Sequence, residues 1–199
     1  MKHLLAILCL FTLSACSTVR PGSQTAEVRA EQVLAVSLAA LDSFVAFEHR
    51  RRADVPPLVR DVAARVRLNA PKALDSANAL RLAYKGNRNA ENQAGLLTAL
   101  AVVESLVAEI RVWVPATSAS GPVASPVADL IRESRASQTV TAQSWVALVP
   151  VFVDLAREIY AVVNRTREAV KQDREWTLAE EADFAVKLAA LKTAEHWRP

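Results

Sequence analysis

Acid–base chemistry in this chain would fall to its carboxylates. Glu104, Glu109, Asp154 and Glu158 sit in strongly apolar stretches, where burial can lift a carboxyl pKa into the range of a general acid, as in the paired carboxylates of glycosidases. The same four residues equally fit a solvent-facing stripe, since Asp154 and Arg157 stand at i, i+3 and can pair on one helical face. Histidine offers less. Beyond position 16 only His49 and His196 remain, each near a helix end where its cation complements the dipole. Neither belongs to an HxxxH or HExxH pattern, so no metal site is expected. No serine lies in a GxSxG or SxxK setting, and four glycines in 199 residues leave no material for a phosphate-cradling loop. The chain is therefore expected to need no cofactor and not to be an enzyme.

Thiol chemistry points elsewhere. Residues 1–16, MKHLLAILCLFTLSAC, carry one cation at Lys2, an apolar run from Leu4 to Leu13 and then small residues, the order of a secretory signal. Ten apolar residues are too short to span a bilayer as a helix, which takes about 20. Cys9 would be removed with the signal, leaving Cys16 as the only thiol, with no partner for an intramolecular disulfide. Leu13-Ser14-Ala15-Cys16 resembles the bacterial lipobox. The resemblance implies diacylglycerol transfer to Cys16, cleavage before it and a multiply acylated N-terminus held stably in a membrane. Ser17, in place of the aspartate that marks inner-membrane retention in enteric bacteria, implies the outer membrane, with the body facing the periplasm. Residues 16–24 then form a lipidated tether containing Pro21 and Gly22, and the body begins near Thr25.

Composition narrows the partners. At 52% hydrophobic and 23% charged, the chain is too apolar for disorder and too charged for a multi-span membrane protein. Its net charge is +3, and the interleaving of acids with bases leaves no continuous basic face for a phosphate backbone. Nucleic acid is not expected as a partner.

The apolar spacing predicts helices throughout. The first covers about 25–53, with Leu34, Leu38, Leu41 and Val45 on one stripe and Phe44 and Phe47 beside it. Val55-Pro56-Pro57 ends it and opens the second, about 57–85, whose stripe of Val59, Val62, Val66, Ala70, Ala73, Ala77, Leu80 and Tyr84 keeps phase through Pro71, predicting a kink without a break. Gly86 offers a left-handed stop and Asn89 a cap for the third helix, about 89–113, where Leu96, Leu100, Val103, Val107, Ile110 and Val114 follow bundle spacing. Residues 114–125 read as a long loop and a possible internal boundary. A run from 126 to 173 is too long for one ordinary helix, so an interruption near Thr139–Thr141 or a bend at Pro150 is expected. Thr177-Leu178-Ala179-Glu180 has capping-box form, and Phe184, Leu188 and Leu191 mark a short terminal helix to about 195.

Two features remain as candidate surfaces. Ser137 to Val153 carries no charge, and Trp145 to Val153 is apolar on every side, which fits either a buried central helix or a docking segment centred on Trp145, Val149 and Phe152. Arg50-Arg51-Arg52 closes the first helix, offsetting its dipole or touching anionic headgroups. Trp113, Trp145, Trp176 and Trp197 each adjoin a stripe or a cap and read as core or helix-end anchors.

The lipobox, alanine-rich helices around Ala40-Leu41-Asp42-Ser43, the Tyr84-Lys85-Gly86 turn and Leu97-Thr98-Ala99-Leu100-Ala101-Val102-Val103-Glu104 together resemble small lipoproteins encoded in phage and prophage genomes of proteobacteria, over about residues 1–112. That family has no settled activity to carry over. The sequence thus predicts a signal peptide (1–15), a lipidated tether (16–24) and an all-α antiparallel bundle of four to five helices (25–199). Its expected role is structural or interactive, with an envelope protein as partner. An apolar-ligand module opened at Pro71 and Pro150, and a peptidoglycan-acting enzyme, are the alternatives.

Overall fold

The computed structural model describes residues 25–113, 142–170 and 174–198, with side chains from 150 onward in the middle stretch. Among them are five α-helices and no strand. These are α1 (Ala26–Arg50), α2 (Pro57–Gly86), α3 (Ala90–Arg111), α4 (Ala142–Ala169) and α5 (Leu178–Thr193), followed by a 3₁₀ turn, Glu195–Trp197. The fold is the all-α bundle that the stripes predict. The signal, the tether, the loop at 114–125 and the expected interruption at 139–141 lie outside the described residues.

Local chemistry sets the boundaries. Thr25 caps α1, its hydroxyl accepting from Val28 N–H at 3.3 Å, and Asn89 caps α3, accepting from Asn92 N–H at 2.7 Å. Thr177 and Glu180 form the predicted capping box. The first helix stops at Arg50, three residues earlier than expected, because residues 51–55 form a turn that buries Val55 ahead of Pro56. α2 runs unbroken through Pro71, where fully buried Ala70, Leu74 and Ala77 offset the missing backbone hydrogen bond. Gly86 does not act as a left-handed stop. It is the last helical residue, its φ is outside the left-handed range, and Asn87 ends α2 in extended geometry with its N–H donating to the Ala83 carbonyl at 2.9 Å.

α1 is the axis of the bundle, packing against α2, α3 and α4, while α2 and α3 form an antiparallel pair. Ala30, Leu34, Leu41, Phe44 and Val45 of α1 are wholly buried, against Val59, Ala63, Val66, Ala70, Leu74 and Ala77 of α2 and Leu96, Val103 and Ile110 of α3. Each such valine, leucine or phenylalanine contributes about 1.5–3 kcal/mol over its exposed state, an upper estimate since the unfolded chain is itself partly collapsed. α4 runs antiparallel to α1, with Gln32 donating to the Val170 carbonyl at one end and Arg50 pairing with Glu158 at the other. Residues 174–198, termed the arm, lie across α1 and α2 and bury Phe184, Leu188, Leu191 and Trp197. Register places the start of α1, the end of α2 and the start of the arm at one end of the bundle.

Candidate functional site

The four carboxylates singled out by sequence are not buried. Glu104 is exposed, Glu109 meets Arg65 at 3.4 Å, Glu158 meets Arg50 at 2.7 Å, and Asp154 faces Arg51 at 3.7 Å, so its partner is not Arg157. Glu109, Glu158 and Asp154 are surface cross-links to other parts of the bundle, Glu104 points to solvent, and none of the four has the burial that would lift its carboxyl towards general-acid use. The Arg50–Arg52 run is likewise engaged by acids: Arg51 also approaches Asp54 at 3.5 Å, and Arg52 approaches Glu48 at 3.8 Å. Such exposed pairs are worth little. Glu158→Ala is expected to cost no more than about 1 kcal/mol of unfolding free energy, read from the denaturant midpoint.

The buried charges are different ones. Glu27, Glu31 and Glu48 on α1, and Arg67 and Arg81 on α2, are nearly or wholly inaccessible. Their positions follow from helical phase. Glu27, Glu31, Leu34, Leu38, Leu41, Val45 and Glu48 form one unbroken stripe at alternating spacings of four and three, and Arg67, Ala70, Leu74, Ala77 and Arg81 form its counterpart on α2. The apolar middle of each stripe packs, and its ends bring acid against base.

At the end where α1 starts, Arg81 organises the cluster. Its Nη1 donates to Glu31 Oε1 at 2.8 Å and Glu181 Oε1 at 3.1 Å, and lies 3.9 Å from Glu27 Oε1. Its Nε donates to Asn78 Oδ1 at 3.2 Å, and its guanidinium lies 5.1 Å from the centroid of the Trp176 ring. Lys85 Nζ donates to Glu181 at 2.6 Å, Arg88 joins Glu27 at 2.8 Å and also Glu175, and the Trp176 N–H donates to Glu31 Oε2 at 2.8 Å. Burial pushes the Glu31 carboxyl above the usual carboxylate range, against the pull of Trp176 and Arg81. Burial also opposes ionisation of Glu181, but hydrogen bonds from Lys85 and Arg81 outweigh it and hold that carboxyl below its usual range. Beside them, Arg174 and the Thr177 cap hold Glu180 down to about 2.

Glu27, Glu31 and Glu181 have carboxylate oxygens within 4.8 Å of one another, a spacing compatible with a shared cation. The Arg81 guanidinium already stands among them, so the geometry is that of an ionic clasp, with protein supplying the cation.

A second clasp closes the other end. Arg67 pairs with Glu48 and donates from Nε to the His196 carbonyl at 2.8 Å, while Asp42 Oδ1 receives Trp197 Nε1 at 2.8 Å and contacts His196 Nε2 at 2.8 Å. His196 is therefore a binding contact of the arm, beyond the helix-end role expected for it, whereas His49 is exposed as expected. Each clasp joins a buried acid of α1, a buried arginine of α2 and a group on the arm.

Of the candidate docking residues, Phe152 is half-buried and stacks on Trp113 at a centroid distance of 6.0 Å and 21° between planes. It contributes to packing. The side chains of Trp145 and Val149, and Cys16, lie outside the described residues. The tryptophan anchors expected from sequence are found at Trp113 and Trp197, which are buried, and at Trp176, which tilts against Phe184 at 5.0 Å.

Sequence reasoning missed one surface. α1 and α3 are both long and apolar enough to cross a membrane by length and composition, but 61% of that stretch is buried in α1 and only 33% in α3. α1 is thereby explained as a core helix. α3 leaves Ala94, Leu97, Thr98, Ala101, Val102, Ser105 and Ala108 exposed, with no charge between Asn92 and Val103. Comparison with known proteins returns no matching family model, no matching curated protein and no matching solved structure.

Proposed function

We propose that this chain is a lipid-anchored envelope protein that acts by contact, with the outer face of α3 as its working surface. The observation that carries the reading is that face: Leu97 is 45% and Val102 51% exposed, among the exposed small residues Ala94, Thr98, Ala101 and Ser105, with Glu104 as the one charge beside them. Exposed apolar side chains gathered on one helix face are a mark of interaction surfaces. The sequence of residues 1–16 supports the anchor, acylation at Cys16 supplying the membrane attachment and Ser17 favouring the outer membrane.

The contact reading also accommodates the buried charges, which fasten α1, α2 and the arm to each other and, among the described residues, include none of α3. The resemblance to phage and prophage lipoproteins is compatible with it, since those are small helical bodies behind a lipobox.

Cys16→Ala is expected to abolish labelling by radioactive palmitate and to shift the protein from the membrane fraction to the precursor or soluble fraction. Equal labelling of variant and parent would refute the anchor. The contact half makes its own demand: charge at Leu97 or Val102 should remove a partner while changing stability by no more than about 0.5 kcal/mol, because neither side chain is in the core.

A further inference from the structure

The exposed apolar face of α3 has two unlike flanks. Leu97, 45% exposed, lies on one flank with Glu104 and Arg111, the three spaced seven apart; Val102, 51% exposed, lies on the other with Glu109. Between them runs an outermost line of Ala94, Ala101 and Ala108, also seven apart, with Thr98 and Ser105 beside it, all five exposed. α2 borders the second flank, because Glu109 meets Arg65 there. That pair, and the packing of Leu80 beside Gly95, fix the antiparallel register of α2 on α3 and bring exposed Lys72 level with Val102. Among the described residues, Glu104, Arg111 and Lys72 have no ion pair within the chain.

The charges on the two flanks are in complementary order. Going up the helix, the first flank carries acid then base, Glu104 and Arg111, while the second carries base then acid, Lys72 and then Glu109 with Arg65 behind it. A helix face can meet its own copy about two kinds of two-fold axis. An axis parallel to α3 sets each flank against the opposite one at the same level, so Glu104 comes to Lys72 of the second copy and Arg111 to its Glu109. Leu97 then packs against Thr98 and Val102 of the copy. The three alanines meet their own counterparts, where small side chains let the helix axes approach closely. An axis across α3 through Ala101 sets like flanks together, placing Lys72 against Lys72 and Glu109 against Glu91. Only the parallel axis satisfies the charges.

We propose that two copies of this chain pair through α3, in parallel, about a two-fold axis running along Ala94, Ala101 and Ala108. This pairing rests on the reading of that face as the working surface, and it names the partner. Both Thr25 termini lie at one end of such a dimer, as two chains held by the proposed anchor require. One helix face is a small interface, so the pairing is reversible and gains from the raised effective concentration of a shared membrane.

Disulfide trapping tests the dimer in the intact chain, expressed in its host and treated with a mild oxidant. Ala94→Cys, Ala101→Cys and Ala108→Cys, made one at a time, should each give a covalent species of twice the chain mass, because each position faces itself across the axis within disulfide reach. The parent, which keeps Cys16, and Asp61→Cys on exposed α2 surface are the blanks. Glu104→Lys should cut the yield from position 101 by about fivefold, the scale of an exposed ion pair, and Lys72→Glu in the same chain should restore it. A dimer from position 101 alone, with 94 joining 108 only in mixed chains, would overturn the parallel axis, and a yield indifferent to both charge reversals would overturn the complementarity that selects it. No dimer above the blanks at any of the three positions would overturn the second copy as occupant. Photo-crosslinking from Leu97 then separates the two readings: an adduct with a different protein leaves α3 as the working surface, whereas an adduct within the same chain, or none, overturns that reading as well.

Discussion

Arg81→Met is expected to lower the unfolding free energy by about 3–5 kcal/mol, the cost of stranding buried carboxylates without their cation. The Arg81 side chain is 2% exposed, and its Nη1 is the common neighbour of Glu27, Glu31 and Glu181. Methionine keeps much of the volume and removes the charge, so a packing defect contributes little. For a body of this size the loss corresponds to a fall in melting temperature of roughly 6–20 °C. The physical cause can be separated from the mere change of side chain: adding Glu27→Gln and Glu31→Gln to the same chain neutralises the stranded acids and should restore much of the lost stability. A triple variant no more stable than Arg81→Met would show that the cost lies in packing.

Trp197→Ala should be comparably damaging, at about 3–5 kcal/mol, because it empties a buried indole site at the far end of the arm. The indole N–H also donates to Asp42 Oδ1, so Trp197→Phe isolates the hydrogen bond and is expected to cost about 1 kcal/mol. Denaturant midpoints of the two variants give both values. Equal losses would place the whole contribution of Trp197 in its hydrogen bond and contradict the packed arrangement of the arm.

The helices were legible in the sequence because their apolar stripes obey a local period. Leu34, Leu38, Leu41 and Val45, or Leu96, Leu100, Val103 and Ile110, need only neighbours three and four positions away to declare a face. The clasps were not read, for two reasons. Acids and arginines at Glu27, Glu31, Glu48, Arg67 and Arg81 occupy the same phase as the leucines, yet charge suggests solvent, so hydrophobicity alone ends the stripe where the buried face continues. Their partners are also remote, 50 positions from Glu31 to Arg81 and 100 from Arg81 to Glu181. Phase could have flagged the burial; only the fold supplies the pairing.

The same distinction explains the carboxylates that sequence did favour. Glu104 and Glu109 lie in an apolar stretch of chain, but α3 turns them away from the core, since hydrophobic neighbours in sequence are not neighbours on a helical face. The exposed surface of α3 escaped notice by the converse route. Alanine, threonine and serine at 94, 98, 101, 105 and 108 read as neutral filler, and nothing local says that no other described helix covers them.

Site-specific photo-crosslinking from α3 tests the contact function most directly. A photoreactive residue replacing Leu97 or Val102 in the intact chain, expressed in its host and irradiated in intact cells, should yield the same discrete adduct from both positions. The probe placed at Asp61, exposed on α2, should not give it. Adducts from 97 and 102 no different from those at 61 would contradict the assignment of α3 as the working surface.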